Sequence, residues 1–181
     1  MDKLVKQLLE LMKLEYGKRE FNDTKFNIVE LEKEVVRKSK VMLEEKQAKV
    51  ELNTPDEINV LADDFYIEQV VTNYMTNAIK HVEEVDGEKI IRIENDVDVD
   101  KNKVRVKVFN TGKQIPEEHL NRIWKRFYKI DASRNRKDGG TGIGLAFVKA
   151  VMNNYGNSYG VVNKENGVEF YFDLELKIWD F

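Results

Sequence analysis

The chain has 181 residues, 41% of them hydrophobic and 10% aromatic, enough to bury one core with one appended element. It lacks cysteine and has only two histidines, which excludes disulfides and thiolate chemistry and disfavours a histidine-rich metal site. The net charge of -3 is spread over interspersed acidic and basic residues and no apolar run is long enough to span a membrane, so we expect a cytoplasmic fragment with no nucleic-acid partner and no membrane contact.

The N-terminal segment has an amphipathic helical pattern. Leu4, Leu8 and Leu11 repeat at nearly heptad spacing before Gly17 interrupts the pattern. Two interpretations are open at this point: a terminal helix packed on its own domain, and the end of a helical hairpin cut from a longer protein.

The next part of the chain alternates between strand and helix patterns. The sequence predicts a weak strand over 24–28, a charged surface helix over 29–46 and a short strand over 49–52. Asp63 or Asp64 can then cap a further helix. The predicted buried stripe of that helix consists of Ile67, Val70, Val71, Tyr74 and Ala78.

The second half of the chain begins with two runs of alternating apolar residues, 91–94 and 104–108, which predict an antiparallel hairpin. Pro116 is well placed to start a short helix that ends near Trp124. The polar, basic stretch 126–140 has no usable periodicity, so it predicts a mobile loop.

A helix that starts at Gly142 and a closing strand over 168–174 complete the predicted elements. The order of strands and helices indicates an α+β fold, a two-layer sandwich in which helices cover one face of a mixed sheet.

Three polar side chains share one face of the helix that follows Asp63. Asn73 and Asn77 are four residues apart, and Lys80 lies beside them one turn farther along. Amide oxygens are suitable hard ligands for Mg, which keeps several waters and shares phosphate oxygens, and lysine supplies a point charge for phosphate. Alone, this pattern is more typical of surface or capping asparagines.

Two glycine-containing segments add to this pattern. Asn110 ends a predicted strand just before Gly112, where a polar side chain can accept a hydrogen bond from an adenine amino group. Later, the run 139–144 leads straight into a helix, where backbone N–H groups and the helix dipole favour an anion. Each segment alone is also typical of an ordinary turn.

Together, four ordered blocks resemble the catalytic, ATP-binding domain of bacterial sensor histidine kinases, a GHKL domain with the Bergerat-type sandwich shared with gyrase-like ATPases. Residues 69–81 are similar to the N box of that family, and 110–116 to its first glycine box. Residues 123–129 resemble the F box, and 140–145 the second glycine box. The match spans roughly 21–176.

The resemblance implies that ATP and Mg are the cofactors. By that resemblance Asn77 is the Mg ligand, Asn73 supports it, and Lys80 faces the phosphates. His81 closes the N box beside the nucleotide. Arg126 and Lys129 at the mouth of the loop would contact phosphate, and the alternative is that both are merely solvated loop residues. The remaining expected cofactor-binding residues are Asn110, Gly112, Ile115, Gly140, Gly142, Ile143, Gly144 and Leu145.

Two residues depart from the family pattern. Asn110 stands where the family usually has an aspartate that recognises adenine, and it keeps a carbonyl acceptor without the charge. Gln114 replaces the second glycine of the first glycine box.

By the same resemblance the loop 126–140 is an ATP lid, anchored by Phe127 packing at its root.

The resemblance also implies the reaction. ATP-hydrolysing relatives and serine kinases generally carry a glutamate where Asn73 stands, and a neutral amide cannot take a proton from water, whereas a histidine nucleophile needs no such base. We therefore expect a protein-histidine kinase catalytic domain of a two-component system. The alternatives are a nucleotide-binding switch or pseudokinase without transfer and, ranked last, a gyrase-like ATPase.

Neither histidine of the chain fits the family's acceptor pattern, in which an acidic residue and then a proline follow the histidine. His81 is followed by Val82 and His119 by Leu120. The amphipathic segment 4–12 resembles the end of the second helix of the family's dimerization domain, which implies that residues 1–17 end that helix and that 18–181 form the catalytic domain. Its partners would be the dimerization and phosphoacceptor domain of the same kinase and, indirectly, a response regulator, in a membrane-anchored parent.

Overall fold

The computed structural model describes residues 2–17, 20–131 and 140–178. It contains a mixed sheet of seven strands that is covered by helices. The strands are β1 (Thr24–Asn27), β2 (Lys49–Asn53), β3 (Asn59–Ala62), β4 (Ile90–Asp98), β5 (Lys103–Thr111), β6 (Tyr159–Lys164) and β7 (Gly167–Leu176). The helices are α1 (Lys3–Tyr16), α2 (Ile28–Lys38), α3 (Lys40–Lys46), α4 (Asp64–His81) and α5 (Gly144–Tyr155).

The strands run in the order β1-β3-β7-β5-β4-β2, and β6 also pairs with β7. β2 is parallel to β4, whereas the other pairs are antiparallel. The predicted hairpin is β4 and β5. The predicted α+β fold with a mixed sheet is thus confirmed.

The two faces of the sheet differ in polarity. Along β5, Val104, Val106 and Val108 are buried beneath the helices, and α4 packs on this strand. Arg105 lies between them on the opposite face, where its guanidinium forms an ion pair of 2.7 Å with Asp173. This alternation places the core between one sheet face and the helices.

The predicted single helix over 29–46 is wrong, because the chain breaks at Ser39 into α2 and α3. The Ser39 hydroxyl donates a 2.8 Å hydrogen bond to the carbonyl of Val35, four residues back. Such a bond competes with the helix ladder and bends the chain. The break lets Leu43, which is 7% exposed, turn into the core.

Other segments also differ from the predictions. β3 and β6 were not predicted, and the weak strand ends at Asn27, whose side chain caps α2. The short helix expected from Pro116 to Trp124 is a single 3-10 turn at Glu117–His119 followed by further turns. Most backbone hydrogen bonds after it, such as Lys125 N–H to Arg122 C=O, join residues three apart, and the bond from Ile123 N–H to His119 C=O joins residues four apart, so no regular α-helix forms.

Helix α1 packs along α5. Leu11 and Leu14 of α1 are 0% and 2% exposed, and the amide of Asn154 donates a 2.9 Å hydrogen bond to the carbonyl of Leu14. Val5 and Leu9, on the other side of α1, are 44% and 45% exposed. The helix therefore docks on α5 with one face and leaves an apolar face uncovered.

A buried carboxyl group lies between α2 and β4. The amide of Asn95 donates a 2.9 Å hydrogen bond to Oε2 of Glu32, which is 0% exposed. Oε1 of Glu32 and Oδ1 of Asn95 are buried and have no hydrogen-bond partner among the described residues. Burial raises the pKa of Glu32 from 4.5 to about 7, and the bond from Asn95 opposes that rise.

Within residues 2–17, 20–131 and 140–178, no helix combines the length and the apolar character that crossing a membrane requires.

Candidate nucleotide-binding site

Helix α4 positions the first block of the site. The helix begins because the Asp63 side chain accepts a 3.1 Å hydrogen bond from the N–H of Phe65. Its apolar face is buried in the core and consists of Tyr66, Ile67, Val70, Val71, Tyr74, Met75, Ala78 and Ile79. Asn73, Asn77 and Lys80 flank this face and are half-buried, so α4 holds them at one edge of the core.

The second glycine block lies directly on this row of polar residues. A Cβ added to Gly144 would stand 2.9 Å from Oδ1 of Asn73, and one added to Gly140 would stand 2.5 Å from Nζ of Lys80. Any side chain at either position would displace the polar group beneath it. The fold therefore brings Asn73, Lys80, Gly140 and Gly144 together, although Lys80 and Gly140 are 60 positions apart in the sequence and Asn73 and Gly144 are 71 apart.

Helix α5 starts at Gly144 without a side-chain cap. Ile143, the preceding residue, is 2% exposed and anchors this start in the core, and Leu145 packs against the core from a half-buried position. The first N–H groups of a helix have no partner within it and carry the positive end of its dipole. The start of α5 thus offers anion-binding donors above Asn73.

Gly142 and Phe127 form a close backbone contact at the base of the predicted lid. The N–H of Phe127 donates a 2.8 Å hydrogen bond to the carbonyl of Gly142, and both residues have positive φ angles, 61° and 72°. A Cβ on Gly142 would stand 2.8 Å from Cα of Phe127. The expected packing of the Phe127 ring is wrong: its side chain is 57% exposed, and the backbone makes the anchor. Lid residues 132–139 lie outside the described part.

The end of β5 is bonded to the segment that leaves α4. The Thr111 hydroxyl donates a 2.7 Å hydrogen bond to the carbonyl of Glu83, whose N–H donates to the carbonyl of Thr111 at 2.9 Å. Gly112 has a φ of 144°, and a Cβ there would stand 3.0 Å from the carbonyl oxygen of His81. The first glycine block is therefore seated against the C-terminal end of the N box.

Asn110, the predicted adenine acceptor, is 3% exposed on β5. Its Nδ2 donates a 3.1 Å hydrogen bond to the carbonyl of Thr111. This bond fixes which end of the amide is the donor, and the carbonyl oxygen is the end that remains as an acceptor.

The turn after Gly112 is held by the C-terminal end of β6. Gln114, which departs from the family glycine, donates from Nε2 to the carbonyl of Lys164 at 2.8 Å. The N–H and carbonyl of Ile115 both bond to the side chain of Asn163, at 2.9 and 2.8 Å. Asn163 was missed from the sequence because β6 itself was not predicted.

Arg126 lies against α1 in this structure. Its Nη2 is 3.4 Å from Oε2 of Glu15 and donates a 3.1 Å hydrogen bond to the Tyr16 hydroxyl. Its guanidinium carbon lies 5.9 Å from the centre of the Tyr16 ring. Lys129 is half-buried three residues farther along. The structure thus does not join Arg126 to the glycine block, and its phosphate role stays a prediction.

The histidines occupy two different settings. His81 ends α4 with an exposed side chain, and Nδ1 of His119 is hydrogen-bonded to the Tyr128 hydroxyl. Among residues 2–17, 20–131 and 140–178, no three His, Asp or Glu side chains are grouped to hold a metal ion.

Residues 62–178 match the family model described as histidine kinase-, DNA gyrase B-, and HSP90-like ATPase. The chain belongs to this ATPase family. The matched range holds all the blocks of the site, from Asn73 to Leu145.

Curated relatives of this ATPase-family chain are histidine kinases. The signal transduction histidine-protein kinase BarA of Escherichia coli K12 is 30% identical over 179 residues, 97% of this chain and 19% of BarA. The sensor histidine kinase WalK of Bacillus subtilis is 32% identical over 179 residues, 98% of this chain and 29% of WalK. The chain therefore spans less than a third of the length of these relatives.

Solved structures agree with the sequence relatives. The catalytic domain of the histidine kinase ThkA is 30% identical with a TM-score of 0.73, over 86% of this chain and 96% of that domain. Full-length ShkA in complex with AMPPNP is similar in fold, with a TM-score of 0.82 at 23% identity, over 96% of this chain and 35% of ShkA. The resemblance of this ATPase-family domain to histidine kinase catalytic domains is confirmed.

Proposed function

We propose that this domain binds Mg-ATP and donates the γ-phosphoryl group to a histidine on a separate phosphoacceptor domain. The observation that carries the proposal is the contact between α4 and the second glycine block, where Asn73 and Lys80 lie beneath Gly144 and Gly140. Membership of an ATPase family supports the nucleotide, and the names of BarA, WalK and ThkA support the reaction class.

The residues of the site fit the magnesium salt of a triphosphate. Asn77, assisted by Asn73, would supply amide oxygens to Mg, and Lys80 would offset phosphate charge. The space above Asn73 and Lys80 is kept free by glycines, so phosphate oxygens can approach backbone N–H groups there. Bound Mg would neutralise charge on the phosphates and orient them.

Phosphoryl transfer depends mainly on positioning and electrostatic stabilisation. The position that would hold a general base for water is occupied by Asn73, whose amide cannot accept a proton. A neutral imidazole is nucleophilic without such a base. This chemistry favours transfer to histidine over hydrolysis.

The proposal places the acceptor histidine on a separate domain. We propose that residues 1–17 end a dimerization-domain helix and that 18–181 form the catalytic domain. The uncovered apolar residues Val5, Leu9 and Met12 of α1 support this division. ThkA has been solved in complex with the response regulator TrrA, which supports a response regulator as the downstream partner. A cytoplasmic domain of a membrane-anchored kinase fits this scheme.

Calorimetry and a transfer assay together test the proposal. Titration of the chain with ATP should show binding that depends on Mg, and Asn77→Ala should remove the Mg dependence. Thr76→Ala, an exposed change on the same helix, is the matched control and should bind as the unaltered chain does. With labelled ATP and the acceptor domain of the parent protein, the unaltered chain should form acid-labile phosphohistidine. Intact Mg-ATP binding without any phosphohistidine would overturn the kinase assignment.

A nucleotide-dependent switch without transfer is the second candidate, favoured by Asn110 and Gln114, which depart from the family pattern. It predicts that Mg and a non-hydrolysable ATP analogue protect the 126–140 segment from protease while no phosphohistidine forms. Steady phosphate release by the isolated chain, abolished in Asn73→Ala, would instead indicate a gyrase-like ATPase.

A further inference from the structure

Asn163 lies in the same cross-strand row as the predicted adenine acceptor. Val168 of β7 is paired with Asn110 of β5 on one side and with Asn163 of β6 on the other. Residues directly opposite one another in antiparallel strands point to the same face of a sheet. Two interstrand spacings put the backbones of the two asparagines about 10 Å apart, with Val168 between them.

The side chain of Asn163 makes the two backbone hydrogen bonds with Ile115 that a neighbouring strand would make in a sheet. Its Oδ1 accepts from the N–H of Ile115 at 2.9 Å, and its Nδ2 donates to the carbonyl of the same residue at 2.8 Å. The following residue, Pro116, restricts Ile115 to extended backbone, which suits this two-point contact. A single side chain therefore fixes both backbone polar groups of Ile115.

The neighbouring residues of the turn are bonded to the end of β6 and to the connection that follows it. Gln114 donates to the carbonyl of Lys164, and the N–H of Gly112 donates to the carbonyl of Asn166 at 3.0 Å. These bonds fix Gln114 and Gly112 but not Ile115. Among the described residues, the side-chain hydrogen bonds to the backbone of Ile115 come from Asn163 alone. Ile115 is half-buried and packs against the core.

We infer that Asn163 is a positioning residue for the purine base. Ile115 and Asn110 form the two sides of the proposed base pocket, and Asn163 fixes Ile115 at a set distance from Asn110, with Val168 between the two asparagines. This inference rests on the proposed nucleotide function. It assigns Asn163 to the base and not to the triphosphate, because Asn73 and Lys80 lie on α4 and the second glycine block lies at the start of α5 and in the loop before it, not on β6.

A role confined to the base has a distinct signature. Removal of the side chain in Asn163→Ala frees both polar groups of Ile115, so the pocket must be ordered again when a base enters. The loss of two hydrogen bonds from a preformed pocket corresponds to about a tenfold weaker Kd for ATP. Inorganic triphosphate with Mg contacts only the other half of the site, so its Kd should change less than about twofold.

The experiment compares ATP, GTP and inorganic triphosphate by calorimetry in the full chain, in Asn163→Ala and in Asn163→Asp. The aspartate variant keeps the acceptor for the Ile115 N–H but sets a carboxylate oxygen against its carbonyl, where the two oxygens repel, so its ATP affinity should fall at least as far as that of the alanine variant. Val162→Ala is the matched control, because Val162 neighbours Asn163 in β6 and is 42% exposed. The preference for ATP over GTP should fall in parallel with ATP affinity.

Equal losses of ATP and triphosphate binding would indicate general loosening of the fold and would overturn the inference, as would unchanged ATP affinity in Asn163→Ala. If the alanine variant does not fold, Asn163→Asp and Asn163→Ser decide the question by the same comparison. Failure of the unaltered chain to bind ATP would instead contradict the proposed function, so the two failures are distinguishable.

Discussion

Gly144 leaves room for the amide of Asn73, since a Cβ at residue 144 would stand 2.9 Å from Oδ1 of Asn73. The start of α5 can therefore pack closely against the polar face of α4, because residue 144 has no side chain. The same arrangement recurs between Gly140 and Nζ of Lys80. These two contacts place Asn73 and Lys80 directly beneath the glycines of the proposed phosphate site.

Replacement of this glycine should affect binding more than folding. In Gly144→Ala the added methyl group would push the Asn73 side chain aside, while alanine suits the first turn of α5 and its cost to the fold is small. We expect about tenfold weaker Mg-ATP binding by calorimetry, with a Tm within a few degrees of the unaltered chain. Lys149→Ala, an exposed change on α5, serves as control, and an unaltered ATP affinity in Gly144→Ala would contradict the proposed site.

The contact of Arg126 with α1 should compete with its predicted phosphate role. The Glu15–Arg126 pair is partly exposed, so its contribution is about 1 kcal/mol or less. If Arg126 also binds phosphate, Glu15→Gln should weaken the contact between Arg126 and α1, leaving only its contacts with Tyr16, loosen α1 in hydrogen exchange and tighten ATP binding by about two- to fivefold.

Glu10→Gln is the control for this change, because it removes one charge from α1 without touching the Arg126 contact. Loosening of α1 in Glu15→Gln without any gain in ATP affinity would show that Arg126 serves the α1 contact alone.

The buried Glu32 should make the stability of the domain depend on pH. Its pKa is raised from 4.5 to about 7 in the folded state, so the folded state binds the extra proton between these values. The resulting stabilisation is complete below about pH 4.5 and is lost as the pH rises through 7. The full effect is on the order of 3 kcal/mol.

Glu32→Gln tests this expectation, because a neutral amide can donate to the unpaired Oδ1 of Asn95 at every pH. Chemical denaturation from pH 5 to 8 should show the unaltered chain losing stability relative to this variant. Glu30→Gln changes an exposed carboxylate of the same helix and should keep the pH dependence of the unaltered chain. Parallel pH profiles for the unaltered chain and Glu32→Gln would refute the assignment.

The substitution Asn110→Asp restores the aspartate that the family usually has at this position, and it tests whether residue 110 contacts the base. In Asn110→Asp the hydrogen bond to the Thr111 carbonyl is lost at a 3% exposed position, which should lower the free energy of unfolding by about 1–2 kcal/mol without nucleotide. A carboxylate accepts more strongly from an adenine amino group, so ATP should raise the Tm more in the variant. A smaller ATP-induced rise in Tm than in the unaltered chain would argue against base contact at Asn110.

Local patterns were sufficient for the parts of the site that lie on one element. The helical period places Asn73, Asn77 and Lys80 on one face of α4, and the Asp63 cap marks its start, because these relations span only a few residues. The hairpin of β4 and β5 is equally local. The break at Ser39 escaped prediction, since a serine within a helical pattern does not reveal whether its hydroxyl will bond back to residue 35.

The sequence alone determined the family blocks, the polar face of α4 and the glycine-rich start of α5, because periodicity and backbone freedom are properties of adjacent residues. Only the tertiary structure decided that Arg126 contacts α1 and that Asn163 holds Ile115, 48 residues away. The physical reason is that a polar side chain can satisfy its hydrogen bonds with many partners, and the packing of the whole core selects one.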